Sequence, residues 1–352
     1  RQNKDYYFDS DIVDRFVEFA EKLTVSDGHH LTGNNLVLVD WQVYTLGSML
    51  GWKYVDNNGV LHRQGWVECS RGAGKTAMLA VIAIFMAIEL KGCDVILLSN
   101  KIEQADICLD SCKRFLDECH MVPFVIKHRS VDIGKSTIKT YSASLHSLDG
   151  LRARLYIIDE GAEAKKDVFS KIISALPKSR DSQMISITTP CSAEVGLESI
   201  YYVNKRVAED CLKDHSKLHH IFGYLAGIDA GDDIADETCW IKGNPSLGHL
   251  VTIKDYRRAF ESYKSQSKEH DWERFQLCRY ASDDTGWIPP KDIKEVTTNL
   301  DIMDFVGEEC YIGIDFSKSF DITSMCVSFW KNQKCHSFFY HWIPKVGANS
   351  NY

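Results

Sequence analysis

Gly65-Trp66-Val67-Glu68-Cys69-Ser70-Arg71-Gly72-Ala73-Gly74-Lys75-Thr76 passes from an apolar stretch through a glycine turn into Ala77 to Leu90, a run whose one charge is Glu89. A strand, a glycine-rich turn and an apolar helix in that order make a phosphate cradle, or P-loop. Gly72 and Gly74 let backbone N–H groups close on phosphate oxygens, and the helix start adds its positive end. Lys75 reaches the β- and γ-phosphates, and the Thr76 hydroxyl serves as a ligand for Mg2+. Ser70, Arg71 and Ala73 complete the loop. Cys69 stands where the common pattern has its first glycine, so this loop is a variant. The competing reading, a glycine turn ahead of a core helix, is disfavoured by the flanking elements.

Outward from this loop, Gly65 to Cys69, Asp94 to Ser99, Leu155 to Ile158 and Gln183 to Thr188 read as strands. Each is almost continuously apolar, the pattern of strands covered on both faces in a mainly parallel sheet. Helical patterns lie between them, at Thr76 to Leu90 and at Ile102 to Glu118, where Ala105, Ile107, Leu109, Cys112, Phe115 and Leu116 fall near helical spacing. The alternation predicts an α/β fold. Helices at 253–266 and 271–280 predict a small helical subdomain over about 229–285. Residues 281–290 have linker chemistry, and Cys310 to Phe316 with Ile322 to Phe329 open a second domain.

A second signal ends the strand at Leu155: Asp159 and Glu160 lie at the carboxyl edge, where open α/β sheets hold ligands. Asp159 suits a metal anchor, and Glu160 a base for an attacking water. Weaker features surround them. Trp41-Gln42 offers an amide for an adenine edge beside an aromatic, or a surface glutamine. Thr188-Thr189-Pro190 closes a strand with hydroxyls able to sense a γ-phosphate, or is a plain turn. Arg71, Arg152 and Arg154 are the candidates for a transition-state charge. Further on, Tyr311-Ile312-Gly313-Ile314-Asp315-Phe316-Ser317 with Asp321 suits the opening of a two-metal nuclease of ribonuclease H type, or a hairpin with exposed acids.

Composition narrows the classes. With 352 residues, 44% hydrophobic and 26% charged, the chain is long enough for two domains and is neither disordered nor a small disulfide scaffold. Its 12 cysteines show no paired CxxC pattern and read as buried reduced thiols of a cytosolic protein. No apolar run approaches the roughly 20 residues of a membrane span. A net charge of −8 excludes a protein coated in positive charge, leaving two local basic stretches, Lys127 to Lys139 and Lys165 to Arg180. Residue 1 is Arg with no signal sequence behind it, so the numbering is expected to begin inside a longer product.

In this order, Trp41-Gln42, Ser70 to Thr76, Ile158-Asp159-Glu160, Thr188-Thr189, Asn244-Pro245-Ser246-Leu247-Gly248 and Gly313 to Ser317 with Asp321 resemble the large terminase subunit of tailed double-stranded DNA bacteriophages. The resemblance implies a RecA-like P-loop ATPase with an additional strand (1–285) and the first part of a ribonuclease H-like nuclease (291–352). It implies ATP with Mg2+ in the motor and Mg2+ or Mn2+ in the nuclease. Gln42 would meet adenine, Arg71 and Lys75 the phosphates, and Asp159 the Mg2+. Glu160 would be the base, Thr188 and Thr189 the coupling residues, and Asp315, with Asp321, a nuclease ligand. The implied partners are double-stranded DNA, a small terminase subunit and the portal protein of a procapsid, with the chain in a homo-oligomeric ring in the host-cell cytoplasm and no membrane. Because the family's nuclease draws further acids from beyond its first strands, this chain is expected to hydrolyse ATP and to cut DNA poorly. The alternatives are a RecA-like helicase and a nucleotide-binding assembly switch of low turnover.

Overall fold

The computed structural model describes residues 5–25, 31–119, 122–142, 152–179, 181–191, 199–214, 218–279, 295–316 and 322–342. It divides into two compact units, Arg1–Asp284 and Thr285–Tyr352.

In the first unit β1 (Tyr6–Phe8), α1 (Ser10–Ala20), α2 (Asp40–Gly51) and β2 (Trp52–Tyr54) precede the P-loop strand β3 (Gln64–Glu68) and helix α3 (Lys75–Glu89). There follow β4 (Asp94–Ser99), α4 (Ile102–Cys119), β5 (Phe124–Ile126), β6 (Ser130–Ile133) and β7 (Ser136–Ser142). The unit continues with β8 (Leu155–Asp159), α5 (Lys166–Ala175), β9 (Gln183–Thr188), α6 (Ile200–Lys213) and β10 (Ile221–Leu225). An eight-stranded sheet has the order β10-β3-β9-β8-β4-β7-β6-β5. Every pairing from β10 to β7 is parallel, and β6 and β5 extend the sheet as antiparallel strands.

The near-continuous apolar strands have their reason in the two faces. Leu155 and Ile157 of β8 join Val67, Val95, Leu97 and Ile185 against α3 and α4. Tyr156 and Ile158 join Trp66, Ile96 and Met184 against α5 and α6. Successive side chains alternate between these two cores, so the apolar positions of both faces are buried. Observed ends lie within a few residues of those expected from the sequence. Ile107 is a correction: it sits 56% exposed on α4, turned away from the sheet.

β9 lies between the P-loop strand and the acidic strand, pairing Glu68 with Thr188 on one side and Asp159 with Ile187 on the other. The strand ends that lead into the glycine loop and into Asp159-Glu160 are therefore one strand apart, with Thr188 between them.

After β10 the chain forms α7 (Trp240–Gly243), α8 (Ile253–Ser265) and α9 (Glu269–Leu277) around a core of Trp240, Tyr256, Phe260, Trp272 and Leu277. The Trp240 and Trp272 rings meet edge to face at 5.2 Å. The acidic segment ahead of α7 is partly neutralised: Lys242 reaches Asp229 at 2.6 Å and Asp232 at 2.7 Å.

The second unit is an antiparallel meander of β11 (Cys310–Asp315), β12 (Thr323–Lys331) and β13 (Lys334–Trp342). Phe305, Val327 and Phe329 form its small core, with Phe305 and Phe329 stacked at 4.9 Å. The 281–290 stretch read as a linker lies outside the described residues. All 12 cysteines are free; seven are buried, while Cys310 and Cys335 are exposed, a departure from the buried-thiol expectation. No helix among the described residues is long and apolar enough to cross a membrane.

Candidate active site

Gly72 and Gly74 adopt φ of +77° and +84°, the left-handed region open to glycine at little cost. Space adds a second demand at Gly74, where a Cβ would lie 2.5 Å from Leu250 Cδ1. The loop thus turns as its sequence predicts, and α3 begins at Lys75. Cys69, in place of the usual first glycine, is fully buried, and burial pushes its thiol up to about 12, so it is an inert packing group.

Lys75 is buried and bent back over the loop. Its Nζ donates to the carbonyls of Ser70 (3.1 Å) and Cys69 (3.4 Å) and lies 3.8 Å from Glu160 Oε1. The carbonyls and the carboxylate together compensate a cation that would otherwise be costly inside the fold. The Ser70 side chain is fully buried. The Thr76 side chain is half-buried at the head of α3.

Two features of separate origin in the sequence meet at the Ala73 carbonyl. Ser246 Oγ donates to it at 2.9 Å and accepts from Trp41 Nε1 at 2.7 Å. Gln42 Nε2 approaches the same carbonyl at 3.5 Å, while its Oε1 accepts from the Val39 N–H at 3.1 Å. Gln42 is buried, which excludes the surface-glutamine reading, and Trp41 stacks on Tyr224 at 5.5 Å. The Trp41-Gln42 pair and the Asn244–Gly248 segment therefore hold the loop from two sides. From the helical subdomain, the Gly243 carbonyl accepts from Ser70 N–H (3.4 Å) and the Phe275 carbonyl from Arg71 N–H (2.9 Å).

At the acidic edge Glu160 has φ +52° and ψ +53°, a left-handed conformation uncommon for a side-chain-bearing residue. Its carboxylate is fixed by the end of β9: Oε2 accepts from Thr189 N–H at 3.3 Å and lies 3.3 Å from Thr189 Oγ1 and 3.4 Å from Thr188 Oγ1. Gly161 permits this turn, because a Cβ there would stand 2.0 Å from Ser186 Oγ. Asp159 Oδ1 accepts from Glu160 N–H at 3.0 Å. Burial first, then the neighbouring Glu160 charge, raises Asp159 to about 6, with Lys75 acting against both.

A cavity of about 320 Å3 opens beside the loop, lined by Gly72, Gly74, Thr76 and Gln42 on one side. Val25, Leu36, Leu38 and Leu250 form an apolar wall, and Ile107, Ser111 and Arg114 of α4 the other. Its lining, mostly apolar with a few polar groups, has the general character of a small-molecule site.

The structure gathers Gln42, Ser70 to Thr76, Asp159, Glu160, Thr188 and Thr189 along one edge of one sheet. The arginine candidates separate. Arg71 belongs to this edge, whereas Arg152 and Arg154 precede β8 at its opposite end, where Arg154 pairs with Asp181 at 3.6 Å. Asp315 closes β11 as an exposed residue of the other unit, and Asp321 lies outside the described residues. Register places Asp315 opposite Ser324, and Ser324 opposite His341, with Ser324 Oγ 2.9 Å from His341 Nδ1. No group of three or more His, Cys, Asp or Glu suited to a metal occurs among the described residues. Gly161, Phe275 and the part Ser246 plays under the loop were not legible in the sequence, because each matters through a partner distant in the chain.

The basic stretches also differ. Lys127 pairs with Asp132 (2.5 Å), Arg129 with Asp106 (3.4 Å) and Lys139 with Asp94 (2.7 Å), so the first is largely neutralised by its own fold. Lys165, Lys166 and Lys178 of the second are exposed.

Known proteins resemble this chain in two successive parts. Residues 40–209 match the family model described as terminase large subunit, ATPase domain, and residues 215–351 the one described as terminase large subunit, endonuclease domain. The chain is 22% identical over 235 residues to protein YmfN of Escherichia coli (strain K12), covering 62% of this chain and 50% of that protein. It is 25% identical over 194 residues to the terminase large subunit of Enterobacteria phage HK97, covering 54% of this chain and 36% of that one. The matches thus span half or less of these relatives' lengths. The crystal structure of the HK97 bacteriophage large terminase shares the fold, with a TM-score of 0.63 at 18% identity over 95% of this chain and 68% of that chain. The endonuclease match begins ahead of β10, although β10 is hydrogen-bonded into the sheet of the first unit. With its two domains matched in order by the family's ATPase and endonuclease models, the chain belongs to the terminase large subunit family.

Proposed function

We propose that this chain is the motor of a viral DNA-packaging machine, an ATPase that drives double-stranded DNA into a procapsid and is coupled to an endonuclease that cuts concatemeric DNA. One observation carries the motor half: the P-loop, Glu160 and the Thr188-Thr189 end of β9 converge on one sheet edge. A triphosphate in the loop places its β- and γ-phosphates against the 72–76 backbone and Lys75, with its base toward Gln42 in the neighbouring cavity. Thr76 and Asp159 are hard oxygen donors at one edge, and Asp159 sits where burial and Glu160 disfavour its charge, so the residues fit Mg2+. When bound, the ion neutralises charge on the β- and γ-phosphate oxygens. Glu160 orients and deprotonates the attacking water. Its anchorage on Thr188 and Thr189 ties the position of the base to the end of β9, which is the route from phosphate state to movement.

In this reading the chain works as a ring on the portal with a small terminase subunit, in the host-cell cytoplasm, and grips DNA through phosphates without regard to sequence. Asp315, with Asp321, belongs to a nuclease using Mg2+ or Mn2+. Among the described residues Asp315 has no group of further His, Cys, Asp or Glu beside it to complete such a site.

The experiment is Glu160→Gln. The variant should bind ATP as the parent does while turnover falls by at least a hundredfold, the scale of a lost general base. Unchanged turnover would overturn the assignment of the base, and a parent protein without Mg2+-dependent turnover would overturn the motor reading.

A further inference from the structure

Arg71 projects from the P-loop and its guanidinium carbon lies 3.5 Å from the centre of the Phe275 ring, on α9 of the helical subdomain. Arg274 lies 4.0 Å from the same centre. A carbon that close to a ring centre must sit over a face, since an edge approach is held farther off by the ring's own atoms. Two guanidinium groups cannot share one face at these distances, so Phe275 is sandwiched between them. Arg274 is also placed by Asp271 at 3.7 Å. The Arg71 side chain, by contrast, has no hydrogen bond or ion pair among the described residues; the ring is what holds it.

Stacking uses the face of a guanidinium and leaves the N–H donors at its edge free, in the planar fork that fits two phosphate oxygens. We infer that Phe275 is a positioning residue for the nucleotide: it presents the Arg71 fork to the triphosphate. The inference rests on the P-loop reading above and extends it to a residue that no loop motif contains. Fixing a long side chain before the ligand arrives removes an ordering cost that binding would otherwise bear. The Phe275 carbonyl separately accepts the Arg71 backbone N–H at 2.9 Å, so replacing the ring leaves that tie in place.

The test is a double-mutant cycle on the full chain, read as the Kd for ATPγS with Mg2+. Phe275→Leu keeps an apolar side chain and removes the ring; it should weaken binding roughly two- to thirtyfold, the range of a cation–π contact. Phe275→Tyr should bind as the parent. Arg71→Ala should weaken binding, and adding Phe275→Leu to it should cost nothing more. Parent-like affinity in Phe275→Leu, or losses that multiply in the double variant, would overturn the inference and make Phe275 a packing residue of the subdomain. A parent that binds ATPγS with this cycle intact but does not hydrolyse ATP would sink the motor reading alone. A parent that does not bind ATPγS would sink both.

Discussion

Gly161→Ala is a sharp test of how Glu160, the proposed base, is held, because its effect and its cure are both set by one atom. A Cβ at 161 would lie 2.0 Å from Ser186 Oγ, where ordinary contact begins at 3.4 Å, while the next neighbours, Ser186 Cβ at 3.4 Å and Phe169 Cζ at 3.5 Å, are already acceptable. Residue 161 is not among those with positive φ, so the backbone itself accepts alanine. The clash therefore belongs to one hydroxyl. Relieving it by moving the turn or the serine is overpacking, at about 1–3 kcal/mol. Ser186 Oγ is buried without a partner, so Ser186→Ala removes an unsatisfied group and should be neutral or stabilising. In the double variant the clash is gone, and alanine also lowers the unfolded-state entropy by about 0.4–1 kcal/mol. The expected order of stability is Gly161→Ala lowest, with the double variant equal to the parent or above it. For about 2 kcal/mol the first gap is roughly 4–8 °C in Tm. Calorimetry on the four proteins measures it, and ATP turnover should follow the same order because Glu160 is the adjacent residue. A Gly161→Ala protein with the parent's Tm and turnover, or a double variant no better than the single, would refute this account of the turn.

Three further outcomes are expected. Ser246→Ala takes the hydroxyl acceptor from Trp41 Nε1 and a donor from the Ala73 carbonyl, so denaturant melts should show a loss of about 1–3 kcal/mol, with a change in tryptophan emission. Asp9 caps α1 and its pairing with Lys53 at 2.5 Å holds its carboxyl below the ordinary range. A lowered folded pKa gives stability that is present above the unfolded value of about 3.9 and lost as pH falls through the folded one. Asp9→Asn, which keeps the cap, should be less stable at neutral pH and converge with the parent in acid; a gap unchanged by pH would count against the pairing. In DNA binding followed against salt, neutralising Lys127 and Lys139 should leave the slope unaltered, because both are paired within the fold, whereas neutralising Lys165, Lys166 and Lys178 should lower it by about 1 for each phosphate that a lysine no longer neutralises; equal slopes throughout would place all five away from the DNA.

Local chemistry was enough to read the sheet and the two strand ends that carry the glycine loop and the paired acids. Strands apolar on both faces require two covering layers, and a glycine turn between such a strand and an apolar helix has few uses other than holding phosphate, so β3, β4, β8 and β9 and residues 70–76 and 159–160 were legible from the chain alone. The family's order of motifs added expected roles for Gln42 and Thr188-Thr189. Which of these residues touch was settled by the fold. Strand order is not written in any one segment, and it is the insertion of β9 beside β3 that brings Thr188 and Thr189 to Glu160. The same holds for contacts across long loops: Ser246 reaches Trp41 and Ala73 from far along the chain, and Phe275 reaches Arg71. Charge was the least legible, since a run of lysines has no meaning until the fold shows which acids face it. Lys127 and Lys139 met Asp132 and Asp94 through strand pairing, a matter of register that composition does not carry.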